Sequence, residues 1–342
     1  MLFRQVPIIP PEHRPLARAV NVVSRRWAIG QPFDDAFDTF SSLSRGQAPK
    51  TPPSNFFSKL LENELVQQAV DVIAFDLALQ KVSNLLQSKP KDELAHFTSL
   101  SSEVTEALEF AENLSSDFLK HSSHQKIAYV DLLLLRSHEL RDCGNAPEAL
   151  LYLDEAISFD PSRDDIRTHR LAFLYESLNA SSDLKSPDAI ELANKVLADA
   201  TYLIDNGFDT GGIRTMRGCA CFSLNDMQSA ELDFREALRI FLNVPVNTAN
   251  DVMMAMLDYS YLGILKFQTG TLAELPKSKL VHFENAFDFF MCAKMAIEKS
   301  PVPLMGLPNK FLGSLENGLA AASREKQLVL DALAKSNQTD LS

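Results

Sequence analysis

Apolar residues recur every three or four positions through most of this chain, which is the periodicity of helices that bury one face. A four-three series begins after Ser54 and continues to Leu86, and a second series ends at Phe118. These series predict a helical hairpin over residues 54–120. The alternative is that the seven-residue spacing pairs two copies of the chain in a homodimer.

The pattern changes from residue 130, where one arrangement of residues occurs repeatedly. In residues 130–161, Gly144 separates two helical stretches, and Pro161 closes the second. Residues 211–242 match this register, with Asn225 where Gly144 stands. Each second stretch places small residues on both sides of a large one, and these sets are Ala149, Leu153 and Ala156, and Ala230, Phe234 and Ala237. Two units in register indicate a repeat.

Two further units carry insertions. One insertion covers residues 179–188 and the other covers residues 271–282, and the sequence assigns neither a role. The matching small-large-small sets are Ala193, Leu197 and Ala200 after the first insertion, and Ala286, Phe290 and Ala293 after the second. The repeat is therefore stretched but continues to about residue 301.

These units resemble the tetratricopeptide repeat (TPR), in which small residues let paired helices approach closely. Leu133 and Arg214 stand where that repeat often has a large aromatic residue. The resemblance implies an all-α fold: a TPR-like solenoid of αα-hairpins over residues 130–301, with an N-terminal helical hairpin and a C-terminal capping helix over 308–335. The positions expected to cap the last repeat include Leu312, Leu315, Leu319 and Leu328. The alternative is an irregular helical bundle with alanine-rich packing.

Charge is distributed unevenly. The formal net charge of −12 disfavours nucleic acid as a partner, because phosphate binding depends on clustered Lys and Arg. Residues 1–30 have five arginines against one acid, Glu12, so this stretch carries +4 and the remainder −16. Residues 1–53 are therefore set apart as a basic, proline-rich N-terminal segment. A basic arm packed on the acidic body, a mitochondrial presequence and a membrane-surface helix remain open for it.

That segment bears on localisation. We expect a cytoplasmic protein, with a mitochondrial location as the alternative, and no apolar run is long enough to suggest a transmembrane helix. Four cysteines without CxxC spacing predict free, buried thiols.

The motifs of common enzyme classes are missing. The chain has no GxxxxGK[ST] loop, GxGxxG turn, GxSxG elbow or HExxH helix. His121 and His124 lie three apart, but no convincing third metal ligand is near them in sequence. We therefore expect no cofactor, no metal site and no enzyme activity, and an extended helical enzyme is the third of three hypotheses.

In TPR arrays the first helices of successive repeats line a concave groove that holds a peptide or a helix. The resemblance places six residues of this chain there: His138, Arg141, His169, Phe173, Glu176 and Phe222. The charged clamp of chaperone-binding TPR proteins is absent, because Leu134, Thr215 and Cys219 stand at its positions together with His138. The leading hypothesis is thus a scaffold or adaptor that binds a protein partner. The alternative is a structural subunit of a large assembly, for which the basic N-terminal segment leaves a mitochondrial location open.

Overall fold

A computed structural model describes residues 64–88, 93–114, 123–243, 249–298 and 309–339, together with residues 42, 45 and 119. The predicted N-terminal segment, residues 1–53, lies outside the described residues except for Ser42 and Arg45. In the described part the chain forms helices and no strands. The helices are α1 (Glu64–Gln87), α2 (Glu93–Glu112), α3 (Ser123–Asp142), α4 (Ala146–Phe159), α5 (Asp164–Ala180), α6 (Pro187–Asp205), α7 (Gly211–Ser223), α8 (Met227–Asn243), α9 (Ala249–Leu272), α10 (Pro276–Glu298) and α11 (Asn309–Thr339).

The chain divides into two compact units, residues 1–170 and 171–342, and the division falls within α5. In the first unit, α1 packs on α2, α2 on α3, and α3 on α4. In the second unit, each helix from α6 to α11 packs on the next. This stacking in chain order confirms the predicted class of an all-α helical repeat. The boundaries drawn from the sequence, 1–53, 54–120, 130–301 and 308–335, stay predictions.

The turns inside two helix pairs have the backbone that the repeat register predicts. Gly144 joins α3 to α4 with φ of 81°, and Asn225 joins α7 to α8 with φ of 64°. Both lie in the left-handed region, which glycine and asparagine tolerate better than other residues. The same turn therefore recurs at equivalent positions although the residue differs.

Side-chain caps begin α6 and α7. The Ser186 hydroxyl accepts a hydrogen bond of 3.2 Å from the Ala189 N–H at the start of α6, where Pro187 takes the first helical position. The Thr210 hydroxyl accepts one of 3.3 Å from the Ile213 N–H at the start of α7. The insertion at 179–188 consequently ends one helix, crosses a short loop and begins the next.

The small-large-small sets form the contact between paired helices. Their members on α4, α8 and α10 are all buried, and the two alanines on α6 are buried while Leu197 is partly buried. Glycines on the facing helix complete this packing. A Cβ atom placed on Gly218 would lie 2.7 Å from the Phe234 ring, and one on Gly263 would lie 2.7 Å from the Phe290 ring. Only glycine admits a phenyl ring at that distance.

The contacts recur one heptad farther along each pair. A Cβ on Gly211 would lie 2.7 Å from the Phe241 ring, and one on Gly270 would lie 2.9 Å from the Phe283 ring. As the glycine number rises, the number of the matching phenylalanine falls, so both pairs run antiparallel. In the α9–α10 pair the insertion at 271–282 lengthens both helices, because α9 continues past Gly270 and α10 begins ten residues before Ala286.

We expect Gly218→Ala to lower the free energy of unfolding by about 1–2 kcal/mol, because the added methyl meets a fully buried ring and overpacking outweighs the better helix propensity of alanine. Urea denaturation followed by circular dichroism measures this change.

Gly212→Ala is the matched control, since nothing lies within 4 Å of a Cβ at that position of the same helix. It should leave stability unchanged or slightly higher. Adding Phe234→Leu to Gly218→Ala should recover part of the loss, giving a favourable coupling in a double-mutant cycle. Equal effects of the two alanine variants would show that the helices are not in this close contact.

The predicted capping helix packs through its first half. Leu315 and Ala322 of α11 are buried in a cluster with Phe290, and Leu319 is partly buried against it. Lys326 lies 3.3 Å from Glu284 of α10 and marks how far this contact extends. The prediction was wrong for Leu328, which is 56% exposed because it lies beyond the packed half. The Leu312 side chain lies outside the described residues.

Candidate functional site

The six residues predicted to line the groove lie on α3, α5 and α7. His138, Arg141 and His169 belong to the first compact unit, whereas Phe173, Glu176 and Phe222 belong to the second. The two groups are therefore described separately.

In the first unit, two predicted residues from different helices meet. The imidazole rings of His138 on α3 and His169 on α5 have centroids 4.7 Å apart and planes inclined at 86°, which is an edge-to-face contact. Both side chains are half-buried. Arg141, one turn after His138, is also half-buried, and its Nη2 atom lies 3.3 Å from Asp142 Oδ1. His138 and His169, which are distant in sequence, are therefore in contact in the structure.

The surroundings of the two imidazoles favour their neutral forms. Burial lowers the pKa of His138, and the neighbouring His169 and Arg141 lower it further, while Asp142 opposes them. Burial also lowers the pKa of His169, aided by Arg141 and opposed by Asp165. A neutral imidazole both donates and accepts hydrogen bonds, so this pair offers a polar, uncharged contact beside a permanently charged guanidinium.

In the second unit the predicted residues have different surroundings. Glu176 is exposed, as a partner-binding residue requires. Phe173 is 1% exposed and therefore belongs to the core in this structure. Phe222 is partly buried, with its ring centroid 5.2 Å from that of Tyr261 on α9. This ring contact joins the first helices of two successive pairs, α7 and α9.

Arg214, at the position where an aromatic residue is common in TPRs, holds an ion-pair network. It pairs with Asp209 at 2.7 Å and with Asp233 of α8 at 3.1 Å. Arg217 donates two hydrogen bonds to the same Asp233 carboxylate, of 2.8 Å and 2.7 Å. The Asp233 side chain is only 4% exposed. A charged network thus joins α7 to α8 beside the Gly218–Phe234 contact.

A second group missed by sequence reasoning lies deeper in this unit. Asp258 of α9 is fully buried, and its Oδ2 atom lies 3.1 Å from the Thr215 hydroxyl of α7. Burial raises the pKa of Asp258 well above its ordinary value. Burial also raises the pKa of Cys219 to about 12, and the Sγ atom of this cysteine lies 3.8 Å from the Tyr175 hydroxyl. Both shifts favour the uncharged forms of these two side chains.

The cysteine prediction was half correct. Cys219 and Cys221 are free and buried, whereas Cys143 and Cys292 are free but exposed. His124 is exposed, and His121 lies outside the described residues. Over the described residues, no group of three potential ligands is placed to hold a metal ion.

None of the described helices is long and apolar enough to cross a membrane.

Comparison with known proteins gives matches at the level of structure alone. No protein-family model matches the chain, and no curated protein matches it. MamA from residue 41 onward, of Desulfovibrio magneticus RS-1, is 12% identical with a TM-score of 0.37, over 62% of this chain and 98% of its own. A tetratricopeptide repeat protein from Parabacteroides merdae is 16% identical with a TM-score of 0.39, over 77% and 92%.

The C-terminal part of a TPR repeat-containing protein from Cytophaga hutchinsonii is 11% identical with a TM-score of 0.38, over 83% of this chain and 99% of its own. At such values the fold assignment rests on the chain's own helix pairs, with their recurring left-handed turn and small-large-small contacts. On that basis the chain has a TPR-like helical-repeat fold.

Proposed function

We propose that this protein is an interaction scaffold that binds a partner polypeptide, a peptide or a helix, through side chains on the first helices of its repeats. The observation that carries the proposal is the contact between His138 and His169, which places polar rings from successive first helices side by side, half-buried, next to Arg141. Half-buried polar and aromatic groups suit recognition because they add specific contacts to a surface that is already largely desolvated. Phe173, being buried, is left out of this proposal.

The partner class follows from the chemistry of these side chains. Neutral imidazoles and a guanidinium in the first unit, and an exposed carboxylate at Glu176 in the second, offer mixed contacts that suit a protein better than nucleic acid. Neither catalysis nor a cofactor is part of the proposal, and a cytoplasmic location fits it. A homodimer through the α1–α2 hairpin is an additional arrangement that the same experiment would detect.

The test begins with purification of the tagged, full-length protein from its own cells, together with N-terminal sequencing of the recovered chain. A stoichiometric partner together with an intact Met1 would support the cytosolic scaffold. If no partner is recovered from cells that express the protein, the proposal is wrong.

Charge reversal then locates the surface. We expect Arg141→Glu to weaken binding of the recovered partner about tenfold, because the loss of one favourable charge and the gain of a repulsive one together cost about 1.4 kcal/mol of binding free energy. Glu176→Lys should have a similar effect if both units contact the partner. Isothermal titration calorimetry measures both affinities.

Arg239→Glu is the matched control. Arg239 lies on α8, a second helix, where its side chain is 63% exposed and pairs locally with Glu236. This reversal should leave affinity unchanged. If all three variants bind as well as wild type, the partner contacts the α1–α2 hairpin or second helices instead.

The alternative function is that of a structural subunit in a large assembly, more specifically a mitochondrial one. The lengthened α9–α10 pair favours this alternative. Leu272 is 83% exposed and Leu275 is 71% exposed at the turn between these helices. Large aliphatic side chains so exposed are suited to burial against a neighbouring subunit. Recovery in a large complex, with the chain starting near residue 30 to 50, would support this alternative.

A further inference from the structure

An arginine that precedes the α1–α2 hairpin contacts the surface of α2. The Arg45 Nη2 atom lies 2.8 Å from Glu106 Oε1 and 3.3 Å from Glu109 Oε2. The same guanidinium lies 4.9 Å from the centroid of the Phe110 ring, which is buried. Two carboxylates and an aromatic face therefore hold one arginine, and this combination suits a planar guanidinium better than an ammonium group.

The charge of α2 extends beyond this contact. The helix contains five glutamates and neither lysine nor arginine. On its α1 side, Lys81 Nζ lies 3.4 Å from Glu103 and 3.7 Å from Glu106. Toward its end, Glu109 has a side chain 59% exposed, and Glu112 is exposed as well. One face of α2 thus keeps carboxylates at the surface next to the bound Arg45.

We propose that this acidic face of α2, formed by Glu106, Glu109 and Glu112, is the intramolecular docking surface of the basic N-terminal segment, residues 1–30, with Arg45 as its anchor. Residues 1–30 carry +4 and the rest of the chain carries −16, so the two are electrostatically complementary. The segment also offers the residue type that the face already binds, since all its basic side chains other than His13 are arginines.

Residues 31–44 connect the basic segment to Arg45, and this covalent connection makes docking effective although each ion pair is weak. Residues 31–44 reach at most about 50 Å, which exceeds the length of α2, about 30 Å for a helix of its size. A segment held that close has an effective concentration in the millimolar range, so contacts that would fail between separate molecules can be occupied. Such docking depends on salt, because exposed charges are screened over about 10 Å at 0.1 M ionic strength.

Limited trypsin digestion of the full-length protein tests the proposal, because trypsin cleaves after arginine. At low salt we expect slow cleavage after Arg25, Arg26 and Arg45, measured by mass spectrometry and normalised to a short reporter peptide. Exposed ion pairs each shift an equilibrium by about two- to fivefold, so Glu106→Gln with Glu109→Gln should accelerate all three cleavages by about tenfold. Raising the salt to 0.5 M should have the same effect on wild type.

Two further variants keep the result interpretable. Glu191→Gln with Glu236→Gln removes an exposed glutamate of α6 and a partly exposed one of α8 and should leave the rates unchanged. Arg45→Gln removes the anchor without touching α2 and should accelerate cleavage after Arg25 and Arg26. Circular dichroism checks that each variant keeps its helicity.

Three results would overturn the proposal. Rates after Arg25 and Arg26 that respond neither to salt nor to the α2 variants would mean that residues 1–30 do not dock there. Protection limited to Arg45 would confine the contact to that residue. Protection that disappears on dilution would place the segment on α2 of a second copy.

Discussion

Replacing Asp233 with alanine is expected to lower the free energy of unfolding by about 3 kcal/mol. The side chain is 4% exposed and accepts hydrogen bonds from Arg214 and Arg217. Its removal leaves two half-buried guanidinium groups without their shared carboxylate, and breaking such a buried pair from one side costs about 3–5 kcal/mol. We place the effect at the lower end because both arginines keep some contact with water and Arg214 keeps Asp209.

Urea denaturation followed by circular dichroism measures this loss of stability, and two further variants test its cause. Glu236→Ala removes a partly exposed acid from the same helix, whose ion-pair partner Arg239 is exposed, and should leave the denaturation midpoint unchanged. Asp233→Asn keeps the size of the side chain but not its charge and should lose less than alanine. Equal stability of the alanine variant and wild type would mean that Arg214 and Arg217 find other partners at no cost.

This network explains how the repeat tolerates Arg214 at a position where an aromatic residue is common. Arg214 joins α7 to α8 through its ion pair with Asp233. The sequence identified the substitution but not its partner. Asp233 is nineteen residues away, and nothing in a spacing pattern distinguishes a paired, buried acid from one on a solvated face.

The elements that could be predicted are those set by local periodicity. The small-large-small set around Phe234 fixes which face of α8 meets α7, and Asn225 marks the turn between them. The approach of Gly218 to the Phe234 ring follows the same register, although no pattern revealed that phenylalanine and glycine are matched partners. Within one helix pair, chain connectivity limits the arrangements, so sequence reasoning succeeds there.

The candidate site was predictable only in part because a first helix packs on more than one side. His138 and His169 were both placed on the partner-facing side, and their rings do meet. Phe173 was assigned to that side as well, but it is buried. One helical turn separates His169 from Phe173, so a small rotation of α5 decides whether a residue contacts its neighbours or solvent. A periodic pattern does not fix that rotation.

The second large effect concerns Asp258, where we expect asparagine to remove a pH dependence of stability. The Thr215 hydroxyl lies 3.0 Å from the Gly211 carbonyl and 3.1 Å from Asp258 Oδ2, but it has one hydrogen to donate. If Asp258 is protonated, its own hydroxyl can donate to Thr215, which then donates to Gly211. The neutral acid therefore suits this buried position better than the carboxylate.

The sign of the effect follows from the raised pKa of Asp258. The folded state holds the proton more tightly than the unfolded state, whose carboxyl has an ordinary pKa of 3.8. Stability from this group is therefore complete below that pH and is lost as pH rises toward the folded pKa, at no more than about 1.4 kcal/mol per pH unit. Other titratable groups also make stability depend on pH, so the informative quantity is the difference in free energy of unfolding between wild type and Asp258→Asn.

Urea denaturation at half-unit steps from pH 4.5 to 8 measures that difference. The free energy of unfolding of Asp258→Asn should increase relative to that of wild type as pH rises, because the asparagine amide can donate to Thr215 at every pH and never becomes charged. The control is Asp331→Asn, at an exposed position of α11 where the carboxylate accepts a hydrogen bond from Gln327. Its stability should change with pH in parallel with that of wild type. If Asp258→Asn also ran parallel, Asp258 would titrate like an exposed acid, and the buried contact between α7 and α9 would be wrong.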